Sequence, residues 1–292
     1  ADQLVKLIKE ADHVVIMGHR MSDLDAIGSA EGVLRICKIC DVPAVIAVRR
    51  DATLAGSLIN ALIAAGQEDD FIDPKGALPI ISQRTLCIVV DTYQLGLVES
   101  REILEKCGKV AVIDHHRKGV GFIEKADLVC HEPYASSASE LVTEFLQYVG
   151  DRDDKPNRIE AEGLLSGIML DTRDFTLHTG VRTFEAAAAL RRYGAETEHV
   201  RQLFDVSMVE YTTKATLVSE AQMYRGCAIT VSGEVAPEAR VAIAQAANDL
   251  LTIQNVEASF VAVQVGGGVN ISARSLGAVN VQVIMESLGG GG

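Results

Sequence analysis

Short apolar runs alternate with helical patterns over the first two-thirds of the chain, and this alternation constrains the fold most. Strands that are almost entirely apolar and β-branched are covered on both faces, as in a parallel sheet with helices on either side. Helical patterns at 25–40, 54–66 and 97–108 separate the apolar runs. The sequence therefore predicts an open α/β domain with a parallel sheet and flanking helices. The four apolar runs are 13–18, 44–48, 85–90 and 109–113.

Helical patterns dominate at 137–150, 157–170 and 181–194, and the pattern changes around position 224, after which β-type runs alternate with helical ones. This change predicts a second, smaller α+β domain, with a cleft between it and the first domain. The runs of the second domain are β-type at 227–233, 258–265 and 269–275 and helical at 237–251 and from Asn280. The predicted divisions are a first domain at 1–195, a helical linker at 196–224 and a second domain at 225–292.

Charge and composition narrow the classes of function. The formal net charge of −13 repels a polyanion, and no Lys/Arg stripe interleaved with aromatic residues appears, so long nucleic acid is a disfavoured partner. No apolar run approaches the length of a bilayer span, which predicts a cytoplasmic chain without membrane contact of its own. Its start within a helical pattern and its end in glycines indicate a piece of a longer protein.

The six cysteines are scattered at spacings that match neither a disulfide framework nor a zinc finger. Cys37 and Cys40 form a C-x-x-C within a helical pattern, which we interpret as core packing. We therefore expect reduced thiols, as in a cytosolic protein.

Acidic and histidine residues follow the predicted strands at the points where the strands end. In open α/β sheets, ligands bind just beyond the carboxyl ends of the strands, so these side chains are expected to converge. Taken singly, Asp23 or Asp25 is more simply a helix cap and Asp91 a turn residue, and one of His115 and His116 is a core histidine. Taken together, they predict a metal cluster. The candidate ligands are His19, Asp23, Asp25, Asp91, Asp114, His115, His116 and, at the end of a helix, Asp171.

The ligand types indicate which metals such a cluster binds. Carboxylates with a few imidazoles and no thiolate suit Mn²⁺ above all, with Mg²⁺, Fe²⁺ or Co²⁺ as alternatives. Crowded carboxylates repel one another, and two divalent ions remove that repulsion. A bridging carboxylate holds such ions about 3.5–4 Å apart, which lowers the pKa of a shared water and suits phosphoryl transfer.

Four motifs resemble, in order, the metal motifs of the DHH phosphoesterases: GH-x3-D-x-D from Gly18, VVDT at 89–92, DHHR at 114–117 and MLDT at 169–172. The distal GGGVNISARS and the closing run Gly289 to Gly292 resemble the DHH-associated C-terminal domain. Within the family, the chain is most similar to the cyclic-di-AMP phosphodiesterases of Gram-positive bacteria. Related nanoRNases and pAp phosphatases usually have Pro-Asp-Gly-Asp where this chain has Ser-Asp-Leu-Asp at 22–25.

The resemblance implies a role for each matched residue. Asp91 bridges two metal ions, Asp114 orients an imidazole, and His116 donates a proton to the leaving oxygen. The remaining ligands are His19 and Asp23 for the first metal and Asp25, His115 and Asp171 for the second. The residues that bind the substrate are Ser272, Arg274, Gly289 and Gly290.

The resemblance predicts that a hydroxide held between two Mn²⁺ ions hydrolyses cyclic-di-AMP to pApA. Two alternatives stay open: a nanoRNase or pAp phosphatase acting on short oligoribonucleotides or pAp, and a sensor that binds a cyclic dinucleotide without cutting it. The resemblance also places the full-length protein at the cytosolic face of the plasma membrane. The sequence leaves the oligomeric state open, a homodimer being one alternative.

Overall fold

The computed structural model describes residues 1–117, 121–151, 154–205, 208–235 and 240–290. The chain divides into two compact units, Ala1–Phe204 and Asp205–Gly292. In chain order, the first unit contains α1 (Asp2–Glu10), β1 (His13–Met17), α2 (Leu24–Ile39), β2 (Ala44–Ala47), α3 (Gly56–Ala64), β3 (Phe71–Ile72), α4 (Pro74–Ala77), β4 (Thr85–Val90), α5 (Arg101–Lys106), β5 (Lys109–Asp114), β6 (Leu128–His131), α6 (Ala138–Tyr148), α7 (Arg158–Thr172), α8 (Val181–Arg192) and α9 (Thr197–Gln202). The second contains α10 (Met208–Ser219), β7 (Gln222–Tyr224), β8 (Cys227–Glu234), α11 (Arg240–Leu250), β9 (Ala258–Val265), β10 (Gly268–Ser275) and α12 (Val281–Ser287).

Six parallel strands form the sheet in the described part of the first unit, in the order β3-β2-β1-β4-β5-β6. The chain runs outward from β1 to β3 and then returns to place β4 on the other side of β1. Strand order therefore reverses between β1 and β4. In open α/β sheets, the crevice beyond the carboxyl ends of strands at such a reversal is where ligands bind.

Both faces of this sheet are buried, which confirms the predicted parallel sheet with flanking helices. Along β1, Val14 and Ile16 pack into one apolar cluster, whereas Val15 and Met17 pack into a second cluster. Successive side chains of a strand point to opposite faces, so a strand covered on both faces has to be apolar at every position. The local composition of β1 follows directly from this placement.

The structure differs from the sequence analysis at two elements. The helix predicted at 97–108 begins only at Arg101, because Val98 forms a bridge with His19 and Glu99 N–H donates to Gly18 O at 2.9 Å. Ser100 then caps α5 through Ile103 N–H. Strand β6 was not predicted from the sequence, since it lies at the sheet edge with half-exposed positions and lacks the apolar run of a central strand.

The described part of the second unit has a four-stranded mixed sheet in the order β10-β9-β8-β7, with β8 and β9 parallel and the other pairs antiparallel. Gly266 and Gly267 connect β9 to β10 with φ of 56° and 82°, as a two-residue hairpin turn of type I′ requires. Among the described residues of the chain, no helix combines the length and apolar content needed to cross a bilayer.

Candidate metal centre

The reversal point between β1 and β4 carries the first group of candidate ligands. Asp91 directly follows β4, and its N–H donates to Ile113 O at 2.9 Å. His19 follows β1, and its Nε2 lies 3.4 Å from Asp91 Oδ2 and 3.9 Å from Asp23 Oδ2. One ligand atom from each of His19, Asp23 and Asp91 lies within 4.8 Å of the other two. This group matches the first metal site that the family resemblance implies.

A second group converges on the imidazole of His115. Its Nε2 lies 3.0 Å from Asp171 Oδ2, 3.4 Å from Asp91 Oδ1 and 3.8 Å from Asp25 Oδ2. These four residues contribute ligand atoms that all lie within 4.8 Å of one another. The group has the same members as the second metal site that the resemblance implies.

A third group links the signature histidines to the same carboxylate. His116 Nδ1 is 2.8 Å from Asp114 Oδ1 and 3.7 Å from Asp91 Oδ1. Asp114 Oδ1 also accepts hydrogen bonds from the N–H groups of His115 and His116, at 2.9 and 3.3 Å. Asp114 therefore contacts both the backbone of this turn and the imidazole of His116, which is compatible with the orienting role that the resemblance predicts. Among the described residues, three groups could hold a metal ion, and Asp91 belongs to all of them.

Several polar atoms at the centre are buried without hydrogen bonds. Asp91 Oδ1, His115 Nε2 and Asp114 Oδ2 have no hydrogen-bond partner, although His115 Nε2 lies only 3.0 Å from a carboxylate oxygen. Buried polar atoms without hydrogen bonds are costly unless another group satisfies them. Atoms that converge at short range without hydrogen-bond geometry fit coordination of a cation. The oxygen and imidazole donors suit a divalent ion of the hard or borderline class.

The pKa shifts show how strongly these charges interact. Burial alone would lower the pKa of both histidines, but the adjacent carboxylates raise it to about 10 for His19 and about 11 for His115. Burial would raise the pKa of Asp91, yet the imidazoles of His115, His19 and His116 outweigh burial and lower it. Burial and the charge of Asp91 raise the pKa of Asp25, and they raise that of Asp171 to about 6 although His115 opposes them. The cluster therefore attracts positive charge, which protons or divalent cations supply.

Asp23 and Asp25 both accept hydrogen bonds from the N–H groups at the start of a helix, and both also contribute to the groups of candidate metal ligands. Asp23 Oδ1 accepts from Asp25 N–H and Ala26 N–H, so the helix-cap interpretation of Asp23 is correct and leaves Oδ2 facing His19. Asp25 is fully buried, and its two oxygens accept from Ala138 N–H at 2.7 Å and Ser139 N–H at 2.8 Å. Sequence analysis missed this contribution of α6.

The local pattern that marks the start of α6 is visible in the sequence. Ser137, Ala138, Ser139 and Glu140 match the Ser-x-x-Glu pattern of a helix N-terminus, and Ser137 does cap Glu140 N–H. That pattern predicts a helix start. Its packing against Asp25 is a tertiary contact that the pattern does not contain.

Gly167 lets α7 pass close to Asp25. A Cβ atom at this position would lie 2.3 Å from Ser139 Oγ and 2.6 Å from Asp25 Oδ1. Both distances are far inside normal contact, and Ser139 and Asp25 are both fully buried. The glycine therefore keeps Asp25 in its place between α6 and α7.

The second unit brings the four predicted substrate-binding residues together. A cavity of about 620 Å³ lies between β10 and α12. Arg274 lines it, and Ser272, which is 9% exposed, lies two residues earlier on the same strand. Gly289 adopts φ of 80° just after α12 and Gly290 follows, while Gly291 and Gly292 of the predicted glycine run lie outside the described residues. This grouping is compatible with the substrate-binding role that was predicted for the four residues.

Comparison with known proteins follows the same division of the chain. The model of the DHH family, N-terminal domain, matches residues 13–168, and that of the DHHA1 domain matches residues 235–292. The chain belongs to the DHH family. It is 46% identical over 294 residues to "Cyclic-di-AMP phosphodiesterase GdpP" of Geobacillus thermodenitrificans, covering 99% of this chain and 44% of that protein.

Two further similarities agree with this assignment. The protein of the same name from Bacillus subtilis is 42% identical over 298 residues, which cover 99% of this chain and 45% of that protein. This chain thus spans less than half the length of these curated relatives. An exopolyphosphatase-related protein from Bacteroides fragilis has the same fold, with a TM-score of 0.83 at 21% identity over 100% of this chain and 89% of the other.

Proposed function

We propose that this chain is a metal-dependent phosphodiesterase module that hydrolyses cyclic-di-AMP to pApA. The observation that carries the proposal is the position of Asp91. Its buried carboxylate takes part in all three groups of potential metal ligands among the described residues, which supports a role as the bridge between two ions. Paired divalent ions at a shared carboxylate are the usual arrangement for cutting a phosphodiester with water.

The choice of substrate rests on similarity. Two relatives that are 46% and 42% identical to nearly the whole chain are named cyclic-di-AMP phosphodiesterases. We infer that this module takes the same cyclic dinucleotide. The cavity lined by Ser272 and Arg274 in the second unit supports the inference, because a guanidinium can bind a phosphate through two parallel hydrogen bonds.

Two divalent cations, Mn²⁺ in our proposal, would be held by the two groups that share Asp91. The first is His19, Asp23 and Asp91, and the second is Asp25, Asp91, His115 and Asp171. When bound, the ions would lower the pKa of a water molecule and neutralise charge on the phosphoryl oxygens. The burial of Asp91 and Asp25, at 3% and 0% exposed, strengthens these interactions by excluding bulk water.

His116 supplies a proton to the leaving group in this proposal. Its Nδ1 pairs with Asp114 Oδ1 at 2.8 Å, which leaves Nε2 as the nitrogen that can face a substrate. Hydrogen bonding to Asp114 raises the pKa of His116, which favours the protonated imidazole that a general acid requires. The side chain is 54% exposed, which gives a bound phosphodiester access to it. We infer that the departing 3′ oxygen of the ribose takes this proton.

A substrate comparison tests the proposal. The purified chain is incubated with Mn²⁺ and equal concentrations of cyclic-di-AMP, pApA or pAp, and products are separated by chromatography. We expect cyclic-di-AMP to be converted to pApA at the highest rate. Consumption of only pApA or pAp would instead establish the nanoRNase or pAp phosphatase alternative. Binding of cyclic-di-AMP by calorimetry with no product after long incubation would establish the sensor alternative.

Substitution of Asp91 tests the catalytic centre itself. Asp91→Asn is preferable to alanine, because Asp91 has φ of 56° and asparagine tolerates this left-handed conformation. We expect turnover to fall at least about a thousandfold while circular dichroism stays unchanged, because both candidate metal sites lose the carboxylate that they share. Asp69→Asn, at an exposed position of the same unit, serves as the matched control. Mn²⁺-dependent turnover within tenfold of wild type in Asp91→Asn would contradict the bridging role.

A further inference from the structure

The turn that carries the signature histidines is held by two side chains from outside its motif. Tyr93 Oη donates a hydrogen bond to the carbonyl oxygen of Arg117 at 2.7 Å. His131 Nε2 lies 2.5 Å from the carbonyl oxygen of His116. Because a carbonyl oxygen only accepts, His131 carries a proton on Nε2 in this contact. Two consecutive carbonyls of the turn are thus tied to neighbouring elements.

The two donors lie on different elements of the first unit. Tyr93 is 6% exposed, packs into an apolar cluster, and lies two residues after Asp91. His131 is the last residue of β6 and pairs with Asp114 in the sheet. The two rings contact each other edge to face, with centroids 5.6 Å apart and planes at 83°. Each ring therefore limits the movement of the other, as supporting groups of a precise site do.

The two sides of the turn are fixed in different ways. On the N–H side, His115 and His116 donate to Asp114 Oδ1, which belongs to the turn itself. On the carbonyl side, the ties to Tyr93 and His131 connect the turn to the segment after β4 and to the end of β6. The ties to Asp114 set the local shape of the turn. The external ties set the position of that shape relative to Asp91.

We propose that Tyr93 and His131 are positioning residues that hold the imidazoles of His115 and His116 in register with the carboxylates of the centre. The proposal rests on the function proposed above for the same site. It does not require either residue to contact substrate or metal. Small displacements of a reacting group are costly, since an error of about 1 Å can lower a rate about a hundredfold.

Substitutions that delete one hydrogen bond at a time test the proposal. Tyr93→Phe removes only the hydroxyl and keeps the ring, and His131→Leu removes the N–H donor. His131→Gln retains an N–H donor at a similar reach. Tyr148→Phe, at a position 81% exposed on the same unit, is the matched control for Tyr93→Phe. Wild-type circular dichroism in each variant establishes that the fold is intact before kinetics are compared.

We expect kcat at saturating Mn²⁺ to fall about tenfold in Tyr93→Phe and in His131→Leu, with KM within twofold of wild type. His131→Gln is expected to recover at least half of wild-type kcat, and Tyr148→Phe to equal wild type. Recovery of kcat in His131→Gln separates positioning from general loss of structure, because a lower active fraction would reduce kcat at unchanged KM in both His131 variants alike. Wild-type kcat in both Tyr93→Phe and His131→Leu would overturn the proposal, as would loss of kcat in His131→Gln equal to that in His131→Leu.

Hydrogen–deuterium exchange gives a readout that does not depend on activity. In metal-free protein, we expect amides of the segment Asp114–Arg117 to exchange at least threefold faster in Tyr93→Phe and His131→Leu, but not in Tyr148→Phe. Unchanged exchange in both deletion variants would overturn the proposal. If wild-type protein shows no hydrolysis of cyclic-di-AMP, the proposed function fails, whereas the exchange comparison still tests the anchoring of the turn.

Discussion

Glu31 lies in the middle of α2 with its side chain fully buried, and neither carboxylate oxygen has a hydrogen-bond partner. Burial, reinforced by the charges of Glu160 and Asp70, raises the pKa of Glu31 to about 8, against the opposing charges of Lys38 and Arg35. Glu31 belongs to none of the candidate metal groups. We expect Glu31→Gln to remove a pH-dependent loss of stability from the first unit.

The size of the effect follows from the shift of the pKa. In the unfolded chain Glu31 has its ordinary pKa of 4.5, whereas in the folded unit the value is about 8. The folded state therefore binds the proton more tightly over a window of about 3.5 pH units, each worth about 1.4 kcal/mol. This stabilisation, about 5 kcal/mol, is fully present below pH 4.5. It decreases steadily as the pH rises above 4.5 and is lost once the pH has passed through 8.

Urea unfolding at pH 5.5, 6.5, 7.5 and 8.5 measures the effect. Hydrogen exchange of peptides from α2 reports the first unit by itself, and a chelator keeps metal occupancy the same in every sample. Glutamine leaves a similar buried polar group that does not titrate, so any change with pH in the difference between variant and wild type comes from Glu31. We expect the variant's free energy of unfolding to rise relative to wild type by about 3 kcal/mol between pH 5.5 and 8.5.

The matched control is Glu68→Gln, whose side chain is 70% exposed and pairs only distantly with Arg50 at 3.9 Å. Its difference from wild type is expected to stay constant over the same range of pH, because an exposed carboxylate has little desolvation to relieve. If the difference between Glu31→Gln and wild type also changed by less than about 1 kcal/mol, Glu31 would titrate as an ordinary glutamate and the argument from burial would be refuted.

Two further predictions concern the metal centre. Gly167→Ala introduces a Cβ against Asp25 and Ser139, so we expect the first unit to lose about 1–3 kcal/mol of stability and Mn²⁺ affinity to fall at least about tenfold. Gly56→Ala, where a Cβ meets nothing within 4 Å, is the control, and equal affinity in both variants would contradict the prediction. Because the pKa values of His19 and His115 are raised to about 10 and 11, a divalent cation would have to displace protons at neutral pH. Calorimetry in buffers of different ionisation enthalpy should show proton release and an affinity that falls from pH 8 to 6; an affinity independent of pH and buffer would exclude this coupling.

The fold class was predictable because the pattern that determines it is local. A strand that is apolar at every position after its first, as β1 and β4 are, has to be covered on both faces, and this already indicates a parallel sheet with helices. The prediction of a helix at 97–108 was wrong at its start, because contacts with a distant segment determine the structure there. Its first residues pair with the chain around Gly18 and His19, and an amphipathic pattern carries no information about such a distant partner.

The sequence by itself determined the chemical types of the candidate site, since carboxylates and imidazoles at the ends of strands are visible residue by residue. Tertiary structure alone decided which of them meet. His19 reaches Asp91 because β4 returns beside β1, and Asp25 is buried because α6 packs against it. The hydrogen bonds of Tyr93 and His131 to the signature turn likewise come from separate elements. Strand order and helix packing depend on contacts between distant segments, and no local pattern encodes them.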